Sequence, residues 1–571
     1  MASWTAQYDP GVPESLHPYP AGTLVDFVRE SAAQAPDAPA LFFKGTQLSN
    51  AELHRLSDRL AASLVRDGVA RGDRVAFLLP NSPQFLIAEL AVWKAGATVL
   101  PLNPMYTGSE LIEPLHSAGV KLVISLTPFY GRVKEIQALT SVKRVIATNI
   151  KEFLPSHLKL LFTLFKEKKA GHRITLEAGD AWFQDLLRGP SSADVLPPPP
   201  QPDEVAVLLM SGGTTGVPKA VVGLHRSMVQ AGVQLKTWLQ PPGMPRRKQD
   251  ITVLALPLFH VYACVGIQTH AITGRLPMAL VPNPRDIDDL LKCIATVRPT
   301  FFSAVPALFI ALLNHQKVKA RAVDFSSIRA CFSGAAPLMA ATKMQFEELT
   351  GGQIVEGYSL TEAMMACAAN PLNGLNKIGS VGIPLPDVDI RIVDTESGDA
   401  FLRQGETGEI VIRAPQLMAG YFNNAEETAR VLRTHGEGGP WLHTGDLGYL
   451  DQDSYLFIVD RQKDLIKTSG FQVWPREIEE VLALHPGVQE VGVAGVPDPA
   501  KGEVVKAWIV KRAGADATIE DLRAFCRQKL ATYKTPAHVE FRDSLPKTMT
   551  GKVLRRALVA EHLNQSSTPR P

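Results

Sequence analysis

From Arg74 onward, short apolar runs rich in β-formers, "VAFLLP", "TVLPLNP" and "LVISL", alternate with helical stretches such as "SPQFLIAELAVWKAG". Strands buried on both faces read as unbroken apolar runs, so this alternation predicts a parallel sheet with crossover helices. The alternation returns after a polar break, in "AVLLMSGG", "ITVLALPLFH", "TFFSAVP" and "IRACFSGAA". Two such layers are therefore expected. The break, "PSSADVLPPPPQPDE", contains Pro197 to Pro200. Four prolines in a row fit neither a helix nor a central strand, so the stretch reads as an extended connector with a subdomain boundary near 190–203.

Between Lys377 and Tyr455 the texture changes to short strands separated by glycine, "DIRIVD", "GEIVIRAP" and "YLFIVD". Such spacing predicts a small β-barrel or antiparallel sheet. After "DRQKD" come helix-like "WPREIEEVLALHPG", strand-like "VQEVGVAGV" and "KAWIVKR", and helix-like "IEDLRAFCRQKL". These make a compact α+β unit of ordinary domain size. The expected fold class is thus α/β: a large N-terminal domain over 1–460 of two doubly wound subdomains plus the small barrel, a hinge at 461–466, and a mobile α+β domain over 467–571.

The chain has 571 residues, 45% hydrophobic and 20% charged, which excludes disorder, collagen and a small disulfide scaffold. Lys plus Arg number 59 against 57 for Asp plus Glu, and a formal charge of +2 gives no general attraction to nucleic acid. Cys264, Cys293, Cys331, Cys367 and Cys526 are odd in number and far apart, which suits a reducing cytoplasm rather than a disulfide framework or a CxxC cluster. "MASWTAQYDPGVP" lacks a basic n-region and an apolar core, and "SSTPRP" is neither a peroxisomal nor a prenylation ending. The apolar stretch from Ile251 to Ile267 carries Pro257, His260 and Tyr262, so a buried strand and turn is expected there rather than a lipid-spanning helix.

The sharpest local feature is "MSGGTTGVPKA", directly after the run "VAVLL". Its glycines free the backbone, its N-H groups and threonine hydroxyls can wrap phosphate oxygens, and Lys219 adds charge. It is not a Walker A loop, because Val217 and Pro218 separate Gly216 from Lys219. In isolation a glycine-rich surface turn would read the same way. In "EGYSLTEA", Glu362 is a candidate ligand for Mg2+, Thr361 offers a hydroxyl to phosphate, and Tyr358 offers a flat face to a purine. In "WLHTGDLGYL", Asp446 follows a glycine at the end of an apolar run and could accept both ribose hydroxyls, or be a turn aspartate. "DRQKDLIKTSGFQVWPREIEE" and "LPKTMTGKVLRRAL" combine glycine with exposed cations, the pattern of solvated loops or of anion handling.

Taken together, "SGGTTGVPK", "EGYSLTE", "GETGEIVIRAP", "WLHTGDLG", "DRQKDLIKTSG" and Gly551-Lys552 resemble, in order and nearly along the whole chain, the AMP-forming acyl-CoA synthetases. "NPRDI", "DFSSIRACFSGAAPL" and "SGFQVWPREIEEVL" look most like the bacterial long-chain fatty-acid CoA ligases. The resemblance implies ATP, Mg2+, coenzyme A and a fatty acid as cofactor and substrates. It assigns the ATP phosphates to Ser211, Gly212, Gly213, Thr214, Thr215, Gly216 and Lys219. Adenine falls to Gly334, Ala335 and Ala336 with Glu356, Gly357, Tyr358 and Ser359. Thr361 and Glu362 serve phosphate and metal, and Asp446 with Arg461 bind ribose. Lys552 matches the adenylation lysine, His260 the histidine lining the acyl site, Lys463 the hinge, and Lys467 a further lysine near the nucleotide. Ser469, Gly470 and Phe471 would face the pantetheine tunnel in a second conformation.

Two small departures, Ala220 and Ser359 in place of glycines usual in relatives, leave that reading intact. Cys264 stands where one branch carries a tryptophan gate, so gating by an indole is not expected. The same motifs would serve a ligase of medium-chain or aryl acids, an acyl-AMP ligase loading a carrier protein, or a binding protein without catalysis. In 154–173, Leu154, Leu158, Leu161, Phe162 and Phe165 share one arc, with Lys159, Thr163 and Lys166 opposite. Such a helix covers a core or lies in a membrane surface, which would make a cytoplasmic protein peripheral at the membrane.

Overall fold

The computed structural model describes residues 3–189, 195–211, 218–241, 250–436, 439–461, 464–468, 471–499, 501–547 and 553–567. The first three apolar runs become the strands Arg74–Leu78, Thr98–Pro101 and Leu122–Leu126, mutually parallel, with helix Pro83–Lys94 as the crossover. Every residue of that helix is buried, as its continuous apolar sequence requires. These strands belong to an eight-stranded sheet, ordered Gly420–Tyr421, Lys219–Leu224, Val205–Ser211, Thr98–Pro101, Arg74–Leu78, Leu122–Leu126, Arg144–Thr148, Ala181–Trp182.

A nine-stranded sheet lies beside it, with Gln353–Leu360, Ala330–Ser333, Phe301–Ala304, Thr252–Leu254, Met278–Leu280 and Pro39–Phe43 as successive parallel neighbours. One core fills the space between the sheets. Phe77, Ile124 and Val207 reach it from one side, and Val253, Phe302 and Ile354 from the other. The strand period of two sends Ala76, Leu78 and Leu208 to a second core on the opposite face of the eight-stranded sheet.

The chain crosses between the sheets in a way the sequence reading does not anticipate. Pro39–Phe43, early in the chain, joins the later sheet, while Val205–Ser211 and Lys219–Leu224, after the prolines, complete the earlier one. Sheet membership therefore does not divide at 190–203, although 197–200 is irregular as expected.

The glycine-separated runs form an antiparallel sheet of Asp389–Val393, Gly408–Arg413, Pro440–Leu450 and Leu432–Thr434, with Leu456–Arg461 pairing on Pro440–Leu450. Beyond it, the C-terminal unit builds Ile466–Thr468, Phe471–Val473, Val488–Asp498, Gly502–Lys511 and His538–Phe541 into one sheet. Helices Pro475–Ala483 and Ile519–Lys529 pack on it over a separate core that includes Ile478, Leu482, Ile509 and Leu522. The stretch from Ile251 opens as the buried strand Thr252–Leu254 and passes into a buried π-helical turn, Tyr262–Ile267. No helix among the described residues is long and apolar enough to cross a membrane.

Candidate active site

Strand Gln353–Leu360 carries the "EGYS" residues and runs beside Ala330–Ser333, with Ser333 opposite Glu356. Gly334, Ala335 and Ala336 continue from the end of that neighbour, and Ala335 takes a left-handed conformation at φ 70°. The structure thus brings the two proposed adenine segments side by side. Gly357 is required by close packing, because a Cβ there would lie 2.2 Å from Phe332 Cζ. Glu356 is buried, accepts a 3.4 Å bond from the Leu338 amide, and is pushed above the usual carboxylate range by loss of solvent.

Tyr358 differs from its expected role. Its ring is only 6% exposed, and its hydroxyl donates to Asp446 Oδ2 at 2.6 Å. The strand therefore presents a brace for Asp446 rather than an open aromatic face. Asp446 lies in strand Pro440–Leu450 directly opposite Arg461, and Arg461 Nε meets its Oδ1 at 2.8 Å. The Asp446 charge raises the Arg461 guanidinium, and burial beside the same carboxylate raises the Tyr358 phenol. Both oxygens are thus fixed in direction while a carboxylate retains further lone pairs for hydroxyl donors.

Thr361 and Glu362 follow at the end of the same strand, in a turn closed by Met364 N to Thr361 O at 3.0 Å and Met418 N to Glu362 O at 3.0 Å. Glu362 Oε1 accepts from Tyr421 at 2.9 Å. Lys219 Nζ lies 5.3 Å from the Tyr421 ring centre and is paired with Glu427. That pairing, with the Arg430 hydrogen bonds first, holds Glu427 down to about 2. Glu362, Tyr421, Lys219 and Glu427 form one chain of contacts that joins the candidate phosphate lysine to the candidate metal carboxylate. Tyr421 and Glu427 were missed by sequence reasoning; the signal was "YFNNAEET", an Asn cap followed by an acidic first turn.

The residues present suit Mg2+. Among the described residues Glu362 Oε2 has no partner, and no group of three or more His, Cys, Asp or Glu gathers. One carboxylate and a hydroxyl suffice for an ion that keeps waters and is otherwise held by substrate phosphates.

His260 follows the strand Thr252–Leu254 and leads into the π-helical turn; burial pushes its imidazole down to about 4, so it is neutral at pH 7. Cys264 is fully buried, 3.9 Å from Glu89 Oε1, and burial raises that carboxyl to about 8.

Ser211 and Lys219 face each other across strands Val205–Ser211 and Lys219–Leu224, so the loop between them springs from a hairpin. Gly212, Gly213, Thr214, Thr215 and Gly216 themselves lie outside the described residues, as do Lys463, Ser469, Gly470 and Lys552. Lys467 is exposed, its amide bonded to Glu503 at 2.8 Å, and no contact places it beside Asp446 or Glu356. Phe471 is exposed and stacks on Tyr533 at 4.5 Å.

Where the C-terminal unit meets the rest, Arg555 bridges Asp460 at 2.9 Å, Asp464 at 2.9 Å and Glu479 at 2.8 Å. The Arg476 amide donates to the other Asp460 oxygen at 2.8 Å. Asp460 stands at the end of strand Leu456–Arg461, next to Arg461, the partner of Asp446. Arg555, Asp460 and Glu479 were also missed, since charges in such loops look solvated until the fold brings them together.

The fold, with Asp446 braced by Tyr358 and Arg461, Lys219 linked through Tyr421 to Glu362, and a small domain appended after 461, is that of an enzyme class identified by its relatives. A profile of the AMP-binding enzymes matches residues 28–422 and one of the AMP-binding enzyme C-terminal domain matches 477–552, so the chain belongs to the AMP-binding enzyme family. It is 39% identical over 559 residues to a long-chain-fatty-acid–CoA ligase of Bacillus subtilis, covering 98% of each chain. A protein of the same description from Escherichia coli O157:H7 is 35% identical, with 97% of each covered. Among solved structures, ATP-bound MatB from Rhodopseudomonas palustris superposes with a TM-score of 0.79 at 28% identity, covering 94% of this chain and 99% of that one.

Proposed function

We propose that the protein is a long-chain fatty-acid–CoA ligase, converting ATP, fatty acid and coenzyme A into acyl-CoA, AMP and diphosphate. The observation that carries the reading is the set of residues braced around Asp446: Tyr358 and Arg461 on its two oxygens, with Thr361 and Glu362 three and four residues beyond Tyr358. This is an arrangement for holding a ribose and the phosphates attached to it.

A carboxylate resists nucleophiles because of its charge and its poor leaving group. One carboxylate oxygen attacks the α-phosphorus of ATP, the bond to the β-phosphate oxygen breaks, and diphosphate leaves. The coenzyme A sulfur then attacks the acyl carbon, the bond to the AMP oxygen breaks, and the thiol proton goes to solvent. Thiolates are strong nucleophiles near neutral pH, so no covalent enzyme intermediate is needed.

In this reading Lys219 and the loop from Ser211 to Gly216 hold phosphates, and Asp446 and Arg461 orient the ribose. Gly334 to Ala336 and Glu356 to Ser359 frame the base. Mg2+, held by Glu362 and Thr361, would neutralise phosphate charge. His260, being neutral, lines the acyl side without adding a charge to trap the carboxylate. Lys552 supplies positive charge at the α-phosphate during adenylation. The parts 1–460 and 467–571 turn about 461–466, with Lys463 in the hinge, so that Ser469, Gly470 and Phe471 replace Lys552 for thioester formation. Lys467, exposed here, approaches the nucleotide only through such a rotation.

The acid is long-chain, as in the Bacillus and Escherichia relatives' descriptions. Segment 154–173 meets the membrane in which such acids dissolve. Thioester formation across acids of graded length and an aryl acid tests the reading: kcat/KM should rise with chain length. A maximum on the aryl acid, or on acids too short to partition into lipid, would overturn the substrate class.

A further inference from the structure

The motif "GETGEIVIRAP" supplies no nucleotide ligand in the ligase reading, yet it carries Glu409, a buried acid bonded to the turn that presents Asp446. Strands Gly408–Arg413 and Pro440–Leu450 pair Glu409 with Leu447 and Val411 with His443, so Ile410 alone lies opposite Thr444, Gly445 and Asp446. The second strand bulges over those three residues, and the bulge aims Asp446 at Tyr358 and Arg461. Gly445 takes the left-handed φ of 68° that the bulge needs. Such a bulge leaves backbone amides without ladder partners, and two side chains take them up. Gly445 N donates to Glu409 Oε1 at 2.9 Å, and Asp446 N donates to Thr444 Oγ1 at 3.1 Å.

The other Glu409 oxygen is occupied too. Oε2 accepts from His443 Nδ1 at 2.9 Å, and His443 Nε2 lies 2.8 Å from His435 Nε2. The two imidazoles stand 5.0 Å apart at 30°, and the half-buried His435 packs against Phe401 at 5.6 Å. A carboxylate only accepts, so His443 Nδ1 carries the proton on that side and its ring orientation is set. Burial works against the Glu409 charge, but the bonds from His443 and Gly445 outweigh it and hold the carboxyl below the usual range. Packing alone would be served as well by an apolar side chain. An ionised acid bonded through both oxygens instead fixes the direction of the bulge.

Resting on the reading of Asp446 as the ribose carboxylate, we infer that Glu409 is a positioning residue for the nucleotide. With His443 and His435 behind it, it holds the Gly445 amide and so the direction in which Asp446 meets the ribose hydroxyls. Tyr358 and Arg461 fix the carboxylate of Asp446, whereas Glu409 fixes the backbone that carries it. Glu409 itself touches no substrate. Its contribution is therefore confined to ligands bearing the hydroxyls from which Asp446 accepts.

Equilibrium binding of AMP and of dideoxyAMP, which lacks both ribose hydroxyls, to the full chain tests this. The parent should prefer AMP. In Glu409→Gln the side-chain amide must face one of the two N-H groups with its own, so AMP should weaken by about tenfold and dideoxyAMP by less than about twofold. In an Asp446→Asn background the same substitution should change AMP binding by less than about twofold, because its effect passes through Asp446. His443→Asn keeps a donor for Glu409 and should bind AMP within about twofold of the parent, while His443→Leu should weaken it by about fivefold or more. That pair reads out the same contact should Glu409→Gln fail to fold. Equal weakening of both nucleotides by Glu409→Gln, a fully additive effect in the Asp446→Asn background, or His443→Leu matching His443→Asn would each overturn the inference. A parent that does not distinguish the two nucleotides would overturn the ribose reading and this inference with it. Binding needs neither acid nor coenzyme A, so a failed ligase assay leaves the result interpretable.

Discussion

Tyr358 and Asp446 belong to different sheets and are joined by a 2.6 Å hydrogen bond between buried groups. The bond ties the strand that leads to Thr361 and Glu362 to the strand that presents Asp446, the carboxylate proposed to hold ribose. Tyr358→Phe removes a hydrogen bond to a buried charge, which costs about 1.5–3 kcal/mol. We expect a lower unfolding midpoint and a KM for ATP raised more than kcat is lowered. A variant with unchanged stability and nucleotide KM would show that the bond is incidental.

Glu427 pairs with Lys219, and in the ligase reading it would compete with phosphate for that lysine. A partly exposed ion pair is worth up to about 1 kcal/mol, so Glu427→Gln should lower the KM for ATP by up to about fivefold with little change in kcat. Lys219→Ala should raise that KM. A higher KM in Glu427→Gln would mean that the carboxylate positions the lysine instead.

Arg555 lies three residues beyond Lys552 and holds Asp460, Asp464 and Glu479 together. Burial works against its charge, but the carboxylates, Glu479 foremost, outweigh that and raise the guanidinium. Removing one partner of a buried charged cluster leaves the others uncompensated. Arg555→Met should therefore slow adenylation by about tenfold or more through misplacement of Lys552, while conversion of supplied acyl-AMP changes less. Equal loss in both half-reactions would show a general structural role.

His172, His225 and His270 are buried, and loss of solvent pushes each down to about 4. The unfolded chain takes up a proton at each near pH 6.5 while the folded chain does not, so stability falls as pH drops from about 6.5 toward 4 and is unaffected above that window. At pH 5 the loss is about 2 kcal/mol for each of His225 and His270 and smaller for His172, where the Glu167 charge opposes the shift. Denaturant midpoints at pH 7.5 and pH 5 should differ accordingly, and His270→Gln should reduce the difference by its share. A midpoint independent of pH over this range would contradict the burial argument.

The sequence shows the strands and crossover helices plainly, because runs such as "LVISL" and "TFFSAVP" are apolar on both faces wherever they fall in the fold. What it hides is sheet membership: nothing local in "PALFF" says that Pro39–Phe43 pairs with Met278–Leu280, far along the chain. Candidate residues are legible where a glycine interrupts a strand-like run or a lone acid ends one, as at Gly357 and Asp446. The braces are not. Glu427, Arg555 and the hydroxyl of Tyr358 act through partners distant in sequence, and an isolated charge or phenol carries no mark of which partner the fold will supply. The amphipathic segment 154–173 shows both limits, since its apolar content is legible but which side chains the body covers is not: Leu154, Leu158 and Phe162 are half-buried while Leu160, Leu161, Leu164 and Phe165 are exposed.

The central claim is that the acid is joined to the α-phosphate before coenzyme A takes part. Purified protein given Mg2+, ATP labelled at the α-phosphate and a long-chain fatty acid, without coenzyme A, should form labelled acyl-AMP and diphosphate. Added coenzyme A should then release AMP in equal amount to acyl-CoA. Label appearing in ADP, or no labelled mononucleotide with any acid of a graded panel, would contradict the account.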